Sequence, residues 1–167
     1  KDALTANTTG ANNVAVGAYA LDANTTASNN TGIGYYALSD NTTGEKNIAV
    51  GYASLIKNTT GDKNTSVGYD ALGENTTADN NTGIGYYALN VNTTGAENVA
   101  VGSTALDANT TGNYNTAVGF QSLSDVTTGE RNTAVGRSAL NRNTGSKNTA
   151  VGMNCLELNT SGQQNTA

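Results

Sequence analysis

Proline, histidine and tryptophan are absent from these 167 residues, and cysteine, methionine and phenylalanine occur once each. Each absence excludes something. Without histidine the chain lacks the usual general base near neutral pH and the commonest nitrogen ligand for metals. One cysteine cannot form a disulfide within the chain. Charge is scarce as well: eight basic and thirteen acidic residues leave a net charge of −5, with no long run of one sign. Basic residues scattered along an acidic chain cannot build the positive stripe that nucleic acid requires. Leu, Ile, Val and Phe together supply only 27 residues, few enough to raise the prospect of disorder.

The order of what is present argues against disorder. The chain repeats itself every 17 residues, and a period must be found before any helix or strand is assigned. Counting places from the first Asn of "NTTG", units begin at Asn7, Asn24, Asn41, Asn58, Asn75, Asn92, Asn109 and Val126. A unit one residue short begins at Asn143 and a partial one at Asn159. The consensus is N-T-T-G-x-x-N-T-A-V-G-x-x-A-L-x-x. Place 7 is always Asn, place 10 always Val or Ile, place 11 always Gly and place 15 always Leu. Nineteen of the 27 large apolar residues fall at places 10 and 15.

One unit is too poor in apolar material to fold alone, whereas stacked copies place each Val on the next Val and each Leu on the next Leu, and so create a core. Two-helix repeats need about 33 residues or more, and Gly, Asn and Thr are poor helix formers. The fold expected is therefore all-β: a parallel β-solenoid, or β-roll, of 17-residue repeats with one repeat per turn. In "NTAVG", places 8 and 10 share one face of an extended segment and places 7, 9 and 11 the other. A second extended piece is expected through "AL" into the next "NTT", with Gly at place 4 turning a corner between them. Rungs roughly 4.8 Å apart predict a rod on the order of 45 Å long. Residues 1–167 form a single array of about ten units, and both ends fall in mid-unit with no capping unit, as in an excerpt of a longer chain. The short unit puts the "NTT" region at a corner or outer face rather than in the core.

Every charged residue lies at place 5, 6, 12, 13, 16 or 17, which predicts a solvated rim. The place-7 amides are expected to hydrogen-bond along the stack, as identical Asn side chains one rung apart can do. Place 9 is always Ala, Gly or Ser. With Gly at place 11 it makes a strip of small side chains that permits close backbone approach, either to another chain or to the opposite wall of the same one. Cys155 stands where other units carry Ala or Ser and reads as a small buried filler.

The segment "NTAVGxxAL", with its variants "NVAVG" and "NTGIG", resembles repeats in the heads of trimeric autotransporter adhesins and in phage-type tail fibres and other long extracellular fibres. That resemblance implies a parallel β-roll, commonly three chains side by side, serving as rigid spacer or receptor-binding surface at a cell surface, on a fibre or on a phage particle, without catalysis. A homo-oligomer, a trimer first, is the expected assembly. The candidate outside partners are a host receptor or a glycan. No nucleic acid, no membrane insertion of this segment, no cofactor and no metal are expected. Paired glycines with a fixed Asp, as in calcium-binding nonapeptides, do not occur, and "GIG" at Gly32 and Gly83 lacks the remainder of a dinucleotide loop.

Two sets of residues are candidate sites. Tyr35, Tyr52, Tyr69 and Tyr86 hold place 12 in four consecutive units. They form either a stabilising aromatic ladder or a platform for sugars or protein receptors. The sequon N-x-[ST] recurs at Asn7, Asn24, Asn41, Asn58, Asn75, Asn92, Asn109 and Asn159, so these are glycosylation candidates if a secretory pathway makes the chain. Two further functions stay open: a subunit of a polymeric extracellular filament, and an ice-binding solenoid using a row of Thr from places 2 and 3.

Overall fold

Places 8 to 10 of each of the first nine units form a three-residue strand: β1 Val14–Val16, β2 Thr31–Ile33, β3 Ile48–Val50, β4 Thr65–Val67, β5 Thr82–Ile84, β6 Val99–Val101, β7 Thr116–Val118, β8 Thr133–Val135 and β9 Thr149–Val151. In the computed structural model, which describes residues 1–167, the nine strands make one parallel sheet in chain order. Each residue pairs with its counterpart one repeat later, as Val50 does with Val67. This is a parallel β-solenoid with one 17-residue repeat per turn and no helix. The short unit keeps the register, Thr133 opposite Thr149.

Outside the strands the structure departs from the sequence expectation. No second extended piece follows "AL"; places 12 to 17 are a compact turn. Non-glycine residues at places 6, 13 and 15 all take positive φ, Leu55 at 54° and Leu72 at 50° among them. Left-handed backbone is costly for a Leu, so its regular use here reflects what the turn achieves: it swings every place-15 side chain into the interior. The turns stay tied together even so. Of 103 backbone hydrogen bonds only 16 belong to the strands; the other 87, such as Leu55 N–H to Ala71 O at 3.0 Å, run through the irregular part.

The core also differs from expectation. Leu21 through Leu140 at place 15 are fully buried and stack as predicted. The place-10 column does not join them: Val16, Ile33, Ile84, Val135 and Val151 are 37% to 63% exposed. The strand turns its place-9 residues inward, so Ala49, Ala100, Ala117 and Ala134 are completely buried beside the place-14 Ala column. Space gives the reason. A Cβ on Gly32 would sit 3.2 Å from Leu21 Cγ and 3.1 Å from Ala37 O, so the gap between strand and turn admits Leu from one wall and only a small residue from the other. The small-residue strip is thus used within the chain.

Gly at place 11 is required twice over. Gly34, Gly51 and Gly68 have φ of 138°, 137° and 142°, and a Cβ on any of them would collide with the carbonyl of the next glycine down the stack. Gly at place 4 has no such φ, and Ala27 and Ala78 occupy that place fully inside the fold. What favours glycine there is close stacking rather than a left-handed corner: a Cβ on Gly61 would collide with the Ala78 carbonyl, so the units with Ala at this place must ease apart slightly.

Candidate functional site

Two columns of Asn brace the interior. At place 7, Asn30 Nδ2 donates to Gly44 O at 2.8 Å, and the Asn47 backbone N–H donates to Asn30 Oδ1 at 2.8 Å. The pattern recurs turn after turn. The row is buried, so it offers nothing to a ligand. At place 1 a second ladder exists that sequence reasoning missed: Asn41 Nδ2 donates to Asn24 Oδ1 at 3.1 Å and to Gly44 O at 2.9 Å. The signal was there, an Asn at nearly every first place, but it also matched turn and sequon chemistry.

This second ladder corrects the glycosylation reading. Asn24, Asn41, Asn58, Asn75, Asn92 and Asn109 are fully buried with their amide N–H groups engaged, while Asn7 and Asn159 are half-buried at the two ends. A glycan on one of the six buried nitrogens would have to be attached before folding and would break the ladder. The "NTT" region is likewise not wholly outside the core: its Asn points in and its second Thr points out.

Threonines divide by place. Those at place 2 are half-buried through most of the array and donate down the stack, Thr42 Oγ1 to Thr59 O at 3.0 Å. Those at place 3, from Thr9 to Thr128 at 17-residue intervals, are all exposed, giving one outward Thr per turn over eight units.

The four place-12 tyrosines come together as a ladder. Ring centroids are 5.6 Å apart for Tyr35 and Tyr52, 4.9 Å for Tyr52 and Tyr69, and 5.5 Å for Tyr69 and Tyr86, with interplanar angles of 20°, 7° and 23°. Tyr36 and Tyr87 stand edge-on to Tyr35 and Tyr86 at 4.4 and 4.5 Å. Tyr19, which sequence reasoning did not single out, stacks on Tyr36 at 4.9 Å. The ring faces are turned towards one another along the stack, so what the row presents outward is ring edges and hydroxyl tips. A sugar that needs an open ring face finds none between the rungs; a protein surface can still meet the tips.

No pocket indents the surface, and no three acidic or cysteine side chains converge on a point. The Ser54 and Ser66 hydroxyls bond each other at 2.7 Å inside the core, with Ser66 Oγ also donating to Ala71 O at 2.7 Å. Cys155 is half-buried against the core. The rim charges make one ion pair, Lys57 Nζ to Glu74 Oε2 at 2.7 Å, well exposed. No helix is long and apolar enough to cross a membrane. Comparisons with protein-family models, with curated proteins and with solved structures give no match.

Proposed function

We propose that this chain is a non-catalytic structural segment of an extracellular fibre, a rigid spacer assembled side by side as a homo-oligomer, a trimer first, whose outer surface also serves adhesion. The observation that carries this reading is the unbroken in-register stack: every turn hydrogen-bonds its neighbours through strand, turn and the place-7 Asn ladder alike. Such a molecule resists bending between rungs and lengthens by one rung, about 4.8 Å, for each repeat added. Length without added chemistry is what a spacer requires. The resemblance of "NTAVGxxAL" to adhesin-head and tail-fibre repeats supports the same reading, as does a surface whose distinctive feature is an aromatic row rather than a cleft.

Electron microscopy coupled to mass determination in solution tests it. Rods whose length tracks repeat number and whose mass is a multiple of 16.9 kDa are expected; spherical particles would refute it. Replacing Tyr35, Tyr52, Tyr69 and Tyr86 by Ser tests the adhesive surface. Loss of binding to cells or to an immobilised receptor protein with the β-spectrum intact is expected, and unchanged binding removes the tyrosines from that role.

The outward place-3 Thr row favours a second reading, ice binding. It requires thermal hysteresis at micromolar protein that disappears in a Thr60→Lys, Thr94→Lys variant.

A further inference from the structure

Fifteen large apolar residues remain exposed, and thirteen of them stand at places 8, 10 and 12. They are not scattered. Places 8 and 10 are the outer face of the nine-stranded sheet, and place 12 follows two residues beyond it in each turn. No unit carries a charged residue at place 8 or 10. Nine rungs of places 8 and 10, about 40 Å long and about 10 Å wide, amount to on the order of 400 Å², within the range of apolar patches that mark interaction sites on a monomer and about half of the ~800 Å² that one partner contributes to a standard interface; the place-12 row flanks it.

Three features select the occupant. The face repeats every ~4.8 Å, so only a partner with the same rung spacing keeps contact along its whole length. The chain is acidic overall, yet its charges sit at places 5 and 6 on one side and 12, 13, 16 and 17 on the other, so two copies can close over places 8 and 10 without burying like charges. Val, Ile and Thr fill both columns, and these β-branched side chains lose little rotamer freedom on contact.

We propose that neighbouring copies of this chain cover the place-8 and place-10 face, their sheets meeting about 10 Å apart across a shared apolar interior. The proposal rests on the side-by-side reading above and relocates its contact. The small residues of places 9 and 11 are occupied inside the roll, and the Val column is what remains for a neighbour.

Sedimentation across a concentration series tests this with three variants. Val67→Lys, Val101→Lys and Val135→Lys together alter alternate rungs of the face and leave the Leu core untouched. The expected result is a retained β-spectrum and self-association weakened about 100-fold or more, since lysines placed opposite an apolar sheet must be desolvated. Thr at the same three positions keeps the β-branch and provides a milder loss should the lysine chain not fold. Thr60→Lys, Thr94→Lys and Thr128→Lys add the same charge on another side and are expected to assemble as wild type. A wild-type chain that is monomeric at every concentration overturns both this face and the side-by-side reading. Wild-type assembly undiminished by the Val67, Val101 and Val135 changes overturns the face alone, and equal loss in the Thr60, Thr94 and Thr128 variant overturns it too.

Discussion

Asn109 shows what a single side chain does in this stack. Its Nδ2 donates to Asn92 Oδ1 at 2.8 Å, but its own Oδ1 is buried without a partner, because the next first place holds Val126. Val126→Asn restores the missing donor and a bond to the place-4 carbonyl. The gain from ending a buried orphan exceeds the loss of two methyl groups, and we expect about 1 kcal/mol of added stability by chemical denaturation. A lower midpoint would show that packing of Val126 outweighs the ladder. Asp107 carries the other orphan, Oδ1. Burial, with a smaller contribution from Asp125, pushes its carboxyl up to about 6 from 3.8. The folded chain therefore holds this proton more tightly than the unfolded one. The penalty is absent below about pH 4, grows as pH rises towards 6 and is complete above that. Because Asp107 is only half-buried, screening reduces it to about 1 kcal/mol. Asp107→Asn should remove that much of the stability difference between pH 4 and pH 7; an unchanged difference would assign it to other groups.

At the scale of one turn, the decisive element is the corner after each strand. Gly68, at φ 142°, brings its Cα against the Gly85 carbonyl, so Gly68→Ala meets both a disfavoured dihedral and a collision. A loss of about 3 kcal/mol or more is expected, measured as a fall in thermal midpoint, and a loss below about 1 kcal/mol would mean that the turns can slide apart to admit a methyl group. The following residues, left-handed at places 13 and 15, aim Leu inward. Their strain is offset by complete burial of Leu21 through Leu140 and by the hydrogen bonds each turn makes above and below. Strand and turn thus depend on each other: the turn narrows the interior, and the narrow interior admits only Ala, Gly or Ser from the strand.

Across the whole molecule, contacts run only between successive turns, so stability is close to a sum of like interfaces. Leu89→Ala, at the middle of the Leu column, is expected to cost about 2 to 5 kcal/mol. Amide exchange should quicken mainly in the turns around β5 and β6 while distant turns keep their protection. Uniform loss along the rod would instead indicate one cooperative unit. The outer face belongs to this scale too. A roll this narrow keeps its small residues inside and leaves its larger β-branched ones outside, which is why the association proposed above is placed on the place-8 and place-10 face.

The period, the parallel stacking, the Leu column, the place-7 Asn ladder and the solvated rim were all legible in the sequence, because a repeated residue must meet its own copy when turns stack. Tyr52 and Tyr69 likewise could be placed in contact from spacing alone. Which strand face turns inward could not be read. Both alternating columns, Ala at place 9 and Val at place 10, are equally regular, and the choice between them depends on interior width. That width is set by left-handed Leu residues that no propensity foretells, and by an Asn ladder at place 1 whose residues read equally well as turns or sequons. Only the closed turn, with Leu filling the gap opposite the strand, decided that Val faces out.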